Sequence, residues 1–189
     1  MVRSIYMAGP EVFLPNARAI MEEKTRLARE AGFRAICPGD LDIPPAPTKK
    51  DFGLSISRVD EEMMLEADAI IANLTPFRGL AADVGTAFEL GFMCALGKPV
   101  TAYTNVPESH YARTVAYYEG RVTRGEDGYI RGTDGLSLED FEMIDNLMLH
   151  GGVERRGGLV AIGSAAPDAL YTDLAAFRRC LAHLKDRFA

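Results

Sequence analysis

Asp83-Val-Gly-Thr-Ala-Phe-Glu-Leu-Gly-Phe-Met-Cys-Ala-Leu-Gly-Lys-Pro-Val100 is the stretch on which the reading of the chain turns. It predicts a helix of about four turns, followed at once by a buried strand. Asp83 is a good N-cap, and Gly97 ahead of Lys98-Pro99 is a good stop. One carboxylate, Glu89, stands in this helix among apolar or small residues. Its neighbours at helical spacing are Gly85, Phe92, Met93 and Leu96, and Phe88 and Leu90 flank it. A carboxylate placed so is partly desolvated, which is costly unless it is hydrogen-bonded or put to use. Gly85 lies one turn back, on the side towards which helical side chains lean, and leaves room for a ligand. The other reading is a Glu at the edge of a core helix with its tip in solvent. The pattern alone leaves both open.

Outward from this helix, strands and helices alternate. Residues 2–8 form a short apolar run closed by Gly9-Pro10, a strand and a turn. Residues 15–30 predict a helix ended by Gly32, 33–37 a second strand, and 40–50, with Pro44, Pro45 and Pro47, a surface loop. A helix over 55–66 and an apolar strand over 67–74 follow, and 75–80 is a loop leading to the Asp83 helix. The fourth strand is 99–103. Residues 105–135 are irregular and glycine-rich, with a hairpin over 121–131. A short helix over 138–149, a fifth strand over 159–162 and a last helix over 167–187 complete the chain. The pattern predicts an α/β fold: a doubly wound five-stranded parallel sheet, order 2-1-3-4-5, with helices on both faces. No internal repeat or boundary divides residues 1–189. In such sheets ligands bind beyond the carboxyl ends of the strands where the order reverses, here between strands one and three. Residues 6–13, 73–80 and the start of the Asp83 helix should line that crevice.

Composition narrows the partners. A length of 189 residues, 48% hydrophobic and 25% charged, fits a globular domain with a full core. The net charge of −6 argues against a nucleic acid or an anionic membrane as partner. Cys37, Cys94 and Cys180 are odd in number and lack metal-ligand spacing, which points to a reducing, cytoplasmic setting. No apolar run is long enough to span a membrane, and the first residues read as a strand and not a signal peptide. There is no Gly-x-Gly-x-x-Gly after the first strand, no phosphate loop and no nucleophile elbow. His110, His150 and His183 form no cluster and read as ordinary surface or loop residues. What remains is carboxylates. Asp60, Asp83 and Glu89 come from separate places that can face one crevice, and paired carboxyl groups serve sugar-transfer chemistry. Taken singly, Asp60 reads as a solvated helix residue, Asp83 as a cap and Tyr6 as a core tyrosine.

Together these residues resemble the nucleoside 2-deoxyribosyltransferases over most of the chain. Ile-Tyr-Met-Ala-Gly-Pro at 5–10, with Phe13 following, is similar to that family's first-strand motif. Arg58-Val-Asp60, eight residues before Asp68, resembles the position of its base-facing Asp. Asp83-x-Gly85-Thr86-x-x-Glu89-x-Gly91 is similar to its nucleophile motif and is the most specific match. Asn146-Leu147-Met148 resembles its sugar-binding segment, which in the family reaches into a neighbouring subunit's site. The stretch at 105–135 and the loop at 40–50 depart from shorter members.

The resemblance implies a flavodoxin-like fold and a double displacement. Glu89 would attack C1′ of a 2′-deoxynucleoside, Asp60 would protonate the leaving base, and Tyr6 would orient Glu89. Gly9, Phe13, Asp83, Gly85, Asn146 and Met148 would bind substrate. The implied partners are 2′-deoxynucleosides, free nucleobases and further copies of the chain in a dimer-based homo-oligomer with shared sites; no metal or organic cofactor is needed. Two alternatives stand beside this. One is a hydrolase of deoxynucleoside 5′-monophosphates, disfavoured because the turn after the first strand, Ala8-Gly-Pro-Glu-Val-Phe13, carries an acid and no base. The other is a non-catalytic nucleotide- or sugar-sensing module.

Overall fold

The computed structural model describes residues 2–39 and 41–189. Met1, and Asp40 at the head of the expected proline-rich loop, lie outside the described residues. The central sheet is built from β1 (Ser4–Ala8), β2 (Arg34–Ile36), β3 (Ala69–Asn73), β4 (Val100–Thr104) and, far along the chain, β8 (Val160–Ile162). Its order is β2-β1-β3-β4-β8 with every pair parallel, the order the sequence predicts. β1, β3 and β4 are buried throughout, as both faces of the sheet are covered.

The two-residue period of each strand sorts its side chains between two cores. Ile5 and Met7, with Ala69, Ile71, Tyr103 and Ala161, face α1 (Ala17–Ala31) and α6 (Ala175–Phe188). Tyr6 and Ala8, with Ile70, Ala72, Val100 and Ala102, face α2 (Lys49–Glu66), α3 (Val84–Ala95) and α5 (Leu147–Glu154). Register follows from this sorting, with Tyr6 beside Ile36 on one edge and Ile70 on the other. Asp68 fastens the start of β3 to β1, accepting from Ser4 N at 2.7 Å and Ser4 Oγ at 3.1 Å.

Five expected elements change. The second helix starts at Lys49 and not at residue 55, because Thr48 caps it: Thr48 Oγ1 accepts from Asp51 N at 3.1 Å. The irregular 105–135 region contains a helix, α4 (His110–Tyr117), capped by Ser109, and no residue of that helix is buried. The expected hairpin becomes a three-stranded antiparallel sheet of β5 (Thr123–Arg124), β6 (Ile130–Arg131) and β7 (Ser137–Leu138). The helix expected over 138–149 does not form: Leu138 belongs to β7, and α5 begins only at Leu147, with Asn146 as its cap. Gly151 and Gly152 lie inside that helix, where it packs on α3. A Cβ on Gly152 would meet Cys94 Sγ at 3.6 Å. The last helix is also shorter, a 3-10 turn at Pro167–Ala169 preceding α6.

Under the turn after β1 lies a buried ionic cluster. Glu11 and Lys24 are both 0% exposed, and their charges meet at 2.8 Å. Glu11 Oε1 also accepts from Asn73 Nδ2 at 3.1 Å and Tyr103 Oη at 2.8 Å. Burial pushes the Glu11 carboxyl up, but the Lys24 ammonium and the hydrogen bonds outweigh it and hold it below its ordinary value. Gly9 is where it is because of this carboxylate: a Cβ there would lie 1.9 Å from Glu11 Oε2. Lys24→Met should leave Glu11 buried without its cation, with only the Asn73 and Tyr103 hydrogen bonds, costing on the order of 3–5 kcal/mol in denaturant unfolding. Glu11→Gln combined with Lys24→Met should lose clearly less; equal losses would contradict the pairing.

Candidate active site

Between β1 and β3 the strand connections run to opposite sides, and a cleft of about 1020 Å³ opens beyond their carboxyl ends. Gly9 and Phe13 from the first turn, Asp60 from α2, and Asp83, Gly85 and Glu89 from the start of α3 all line it. Tyr6 stands beneath. Its side chain leaves β1 towards α3, and its Oη donates to Glu89 Oε1 at 2.7 Å.

The electrostatics single out Glu89. Burial, the largest cause, raises its pKa to about 7; the charges of Asp60, Asp83 and Glu11 add to the rise, and the Tyr6 hydrogen bond opposes it. Tyr6 itself is driven far above its ordinary value by burial and by the carboxylate it serves, so it stays a donor. Asp60 is also raised, by burial. Asp83 is the α3 cap: its Oδ2 accepts from Thr86 N at 3.1 Å, and the missing side chain of Gly85 leaves that oxygen room, since a Cβ there would lie 3.0 Å away. The helix is apolar around Glu89 but not buried all round, because Leu90 and Met93 face the core while Val84 and Phe88 are 84% and 57% exposed.

Phe13 stacks on Phe77 with centroids 5.3 Å apart. Arg78 lays its guanidinium over both rings, at 5.1 and 4.7 Å, and sits in the left-handed region at φ 53. Phe77 and Arg78 fall in the loop the sequence assigns to the crevice, although their stacking had no sequence signal. Two expectations for the lining change. Asn73 turns under the cleft to Glu11, and Glu11 itself is buried against Lys24 and does not face the cleft as a bare acid.

Asn146 and Met148 do not join this cleft. Asn146 caps α5, its Oδ1 accepting from Met148 N at 3.0 Å, and Met148 is 73% exposed beside the outer groove between α3 and α5. Next to them lies an anchor that the sequence reading missed. Asp145 is buried and accepts from Ala82 N at 2.8 Å and Asn146 N at 2.7 Å. Arg113, on α4, donates to the carbonyls of Leu80, Glu108 and Ile144 around it. The histidines are not all surface residues: His150 is buried in α5, where Nδ1 accepts from Ile144 N at 3.1 Å, so Nε2 carries the proton and faces Glu154 at 3.0 Å. Among the described residues no group of three or more His, Cys, Asp or Glu is placed to hold a metal, and no helix is long and apolar enough to cross a membrane.

Fold and cleft define a flavodoxin-like α/β protein whose switch-point site is built from carboxylates and one tyrosine. The sequence profile of nucleoside 2-deoxyribosyltransferase matches residues 5–148, and the chain belongs to that family. A 2-deoxyribosyltransferase from Leishmania mexicana is 30% identical and superposes with a TM-score of 0.65 over 96% of this chain and 98% of its own. A conserved protein of Enterococcus faecalis, 20% identical, shares the fold with a TM-score of 0.58 over 99% of each chain. An uncharacterized protein of Schizosaccharomyces pombe is 31% identical over 93% of this chain and 90% of its own length.

Glu89 links the cleft to stability. Between its ordinary value of 4.5 and its folded value of about 7, the folded chain keeps a proton that the unfolded chain has released. Its contribution to stability therefore falls as pH rises through that window. Glu89→Gln removes the titration. Relative to the unsubstituted protein it should gain stability between about pH 5 and pH 8, by on the order of 3 kcal/mol. Thermal unfolding at both pH values checks this; a difference that does not grow with pH would contradict the raised pKa.

Proposed function

We propose that the chain transfers 2-deoxyribose between nucleobases through a covalent ester on Glu89. The observation that carries this reading is the Tyr6–Glu89 hydrogen bond of 2.7 Å, which holds a desolvated carboxylate at the wall of a cleft that Asp60 also lines. Ionised Glu89 attacks C1′ of a 2′-deoxynucleoside as the C1′–N bond breaks. The bonding pair leaves with the base, which takes a proton from Asp60. An incoming base then attacks the ester from the opposite face and returns a proton to Asp60, so two inversions give net retention. A carboxylate beside C1′ acts most strongly on the cation-like transition state. Raised by burial, Asp60 suits the acid role, and Tyr6 orients Glu89. Gly9, Gly85 and Phe13 shape the wall, and Asp83 holds a sugar hydroxyl. If water replaces the incoming base the product is free sugar; the same assay reads both outcomes.

The site is completed, in this reading, by Asn146 and Met148 of a second copy. Two features support it. Both residues lie outside their own subunit's cleft, and Met148 lines an outer groove with Ala87, Leu90 and Gly91 of α3, the helix that also leaves Val84 and Phe88 as an exposed apolar row. A dimer exchanging these segments across a two-fold axis would cover that row. Residues 1–189 would act as one domain, with 105–135 as an insertion, on small nucleosides and bases of cytoplasmic salvage and without a cofactor.

The test is base exchange between a 2′-deoxynucleoside and a second free base. Glu89→Ala should abolish it in a folded protein; near-normal exchange would end the proposal. Mixed Glu89→Ala and Asn146→Ala proteins, once subunit exchange is verified by mass spectrometry, should recover activity. Mixed oligomers with none would assign Asn146 to its own subunit or to no site. For the unsubstituted enzyme kcat/KM should rise with pH through about 7 as Glu89 ionises. Because the Tyr6 hydrogen bond lowers that pKa, Tyr6→Phe should move the acid limb to higher pH. An unmoved limb would remove Tyr6 from its role.

A further inference from the structure

We propose that Asp145, braced by Arg113, is a positioning residue that locks the cap of α3 and the cap of α5 into one rigid unit, so that a single buried side chain serves two neighbouring active sites. The inference rests on the reading above, in which Asp83 and Asn146 hold sugar hydroxyls. Asp83 follows Ala82, whose N–H donates to Asp145 Oδ2 at 2.8 Å; Asn146 follows Asp145 itself, and its N–H donates to Oδ1 at 2.7 Å. The two carboxylate oxygens are thus divided between segments 63 residues apart in the chain. At the level of the dimer they are divided between two sites, since Asp83 lines its own cleft and Asn146 is offered outward.

The surroundings allow little play. Asp145 is 1% exposed. Arg113 closes over it, donating through Nε to Leu80 O at 2.9 Å, through Nη2 to Ile144 O at 2.7 Å and through Nη1 to Glu108 O at 2.5 Å. Its Nη2 lies 3.8 Å from Asp145 Oδ2, a charge at the back of the carboxylate and not a direct hydrogen bond. Leu80 and Ile144 lie just ahead of the two caps in the chain, and Glu108 precedes the α4 cap Ser109, so Arg113 ties all three helix starts together. Arg113 comes from α4, so it is the insertion that supplies the cation facing this carboxylate and keeping it in place. A buried carboxylate holding two backbone N–H groups with a charge-assisted geometry fixes position more strictly than a neutral side chain can.

The test uses the full-length protein and compares fold-losses across substrates. Asp145→Asn keeps one acceptor oxygen and turns the other corner into a donor facing an N–H. For a 2′-deoxynucleoside kcat/KM should fall by about tenfold or more, the size of one lost hydrogen bond. For the 2′,3′-dideoxy or the 2′,5′-dideoxy nucleoside, whichever lacks the hydroxyl that the caps hold, the loss should shrink to about twofold, since there is no contact left to misplace. A structural role alone would lower all three substrates by the same factor, and that result would overturn the inference. Arg113→Lys, which keeps a cation but not the fan of donors, should show the same substrate-dependent pattern at smaller size and decides the question if Asp145→Asn does not fold. An unsubstituted protein without exchange would overturn the functional reading, and the inference with it, before either variant is compared.

Discussion

Everything around the cleft depends on one hydrogen bond between a strand and a helix. Tyr6 can reach Glu89 only because β1 sends alternate side chains to opposite faces, and because α3 crosses the face that receives Tyr6. The bond does two opposed things. It relieves a desolvated carboxylate, and it holds that carboxylate at the cleft wall, where its charge is least comfortable. Three further acids raise the cost. Such a group is tolerated because the sheet and helices bury enough apolar surface elsewhere, a trade common at sites that must react.

Much of this was legible in the sequence, and the reasons differ by element. The parallel sheet could be read because β1, β3 and β4 are short, mostly apolar or β-branched runs between turn signals. Glu89 stood out because an acid sits at helical spacing among Gly85, Phe92 and Met93, but the pattern alone left a solvent-tipped Glu equally open, and only the hydrogen bond to Tyr6 and the burial separate the two. The region after β4 was not legible. α4 is only eight residues long, buries none of them, and runs into the glycines at 120, 125 and 128 that make the stretch read as irregular. The misplaced helix before Asn146 has a physical cause: Asp145 and Asn146 spend their side chains on backbone N–H groups, which stops a helix from running through them. Long-range polar pairs such as Arg113 with the carbonyl of Leu80 leave no periodic trace at all.

The same contrast separates two kinds of buried charge. Glu89 is buried with a neutral donor and its pKa rises; Glu11 is buried with a cation and its pKa falls. The first is poised to change its charge near neutral pH, while the second keeps its charge and holds the turn after β1. Sequence alone assigns both to the crevice, since both lie near its expected lining. Only the partners, Tyr6 for one and Lys24 for the other, tell them apart.

The crowding at Gly9 has a consequence for how relatives can diverge. A side chain at residue 9 collides with the Glu11 carboxylate, and a change at residue 11 strands the Lys24 ammonium in an apolar core beside Tyr103 and Phe177. No single substitution at these three positions is neutral. Across lineages they should covary as a block, Gly-Glu-Lys being kept whole or exchanged together for another packing.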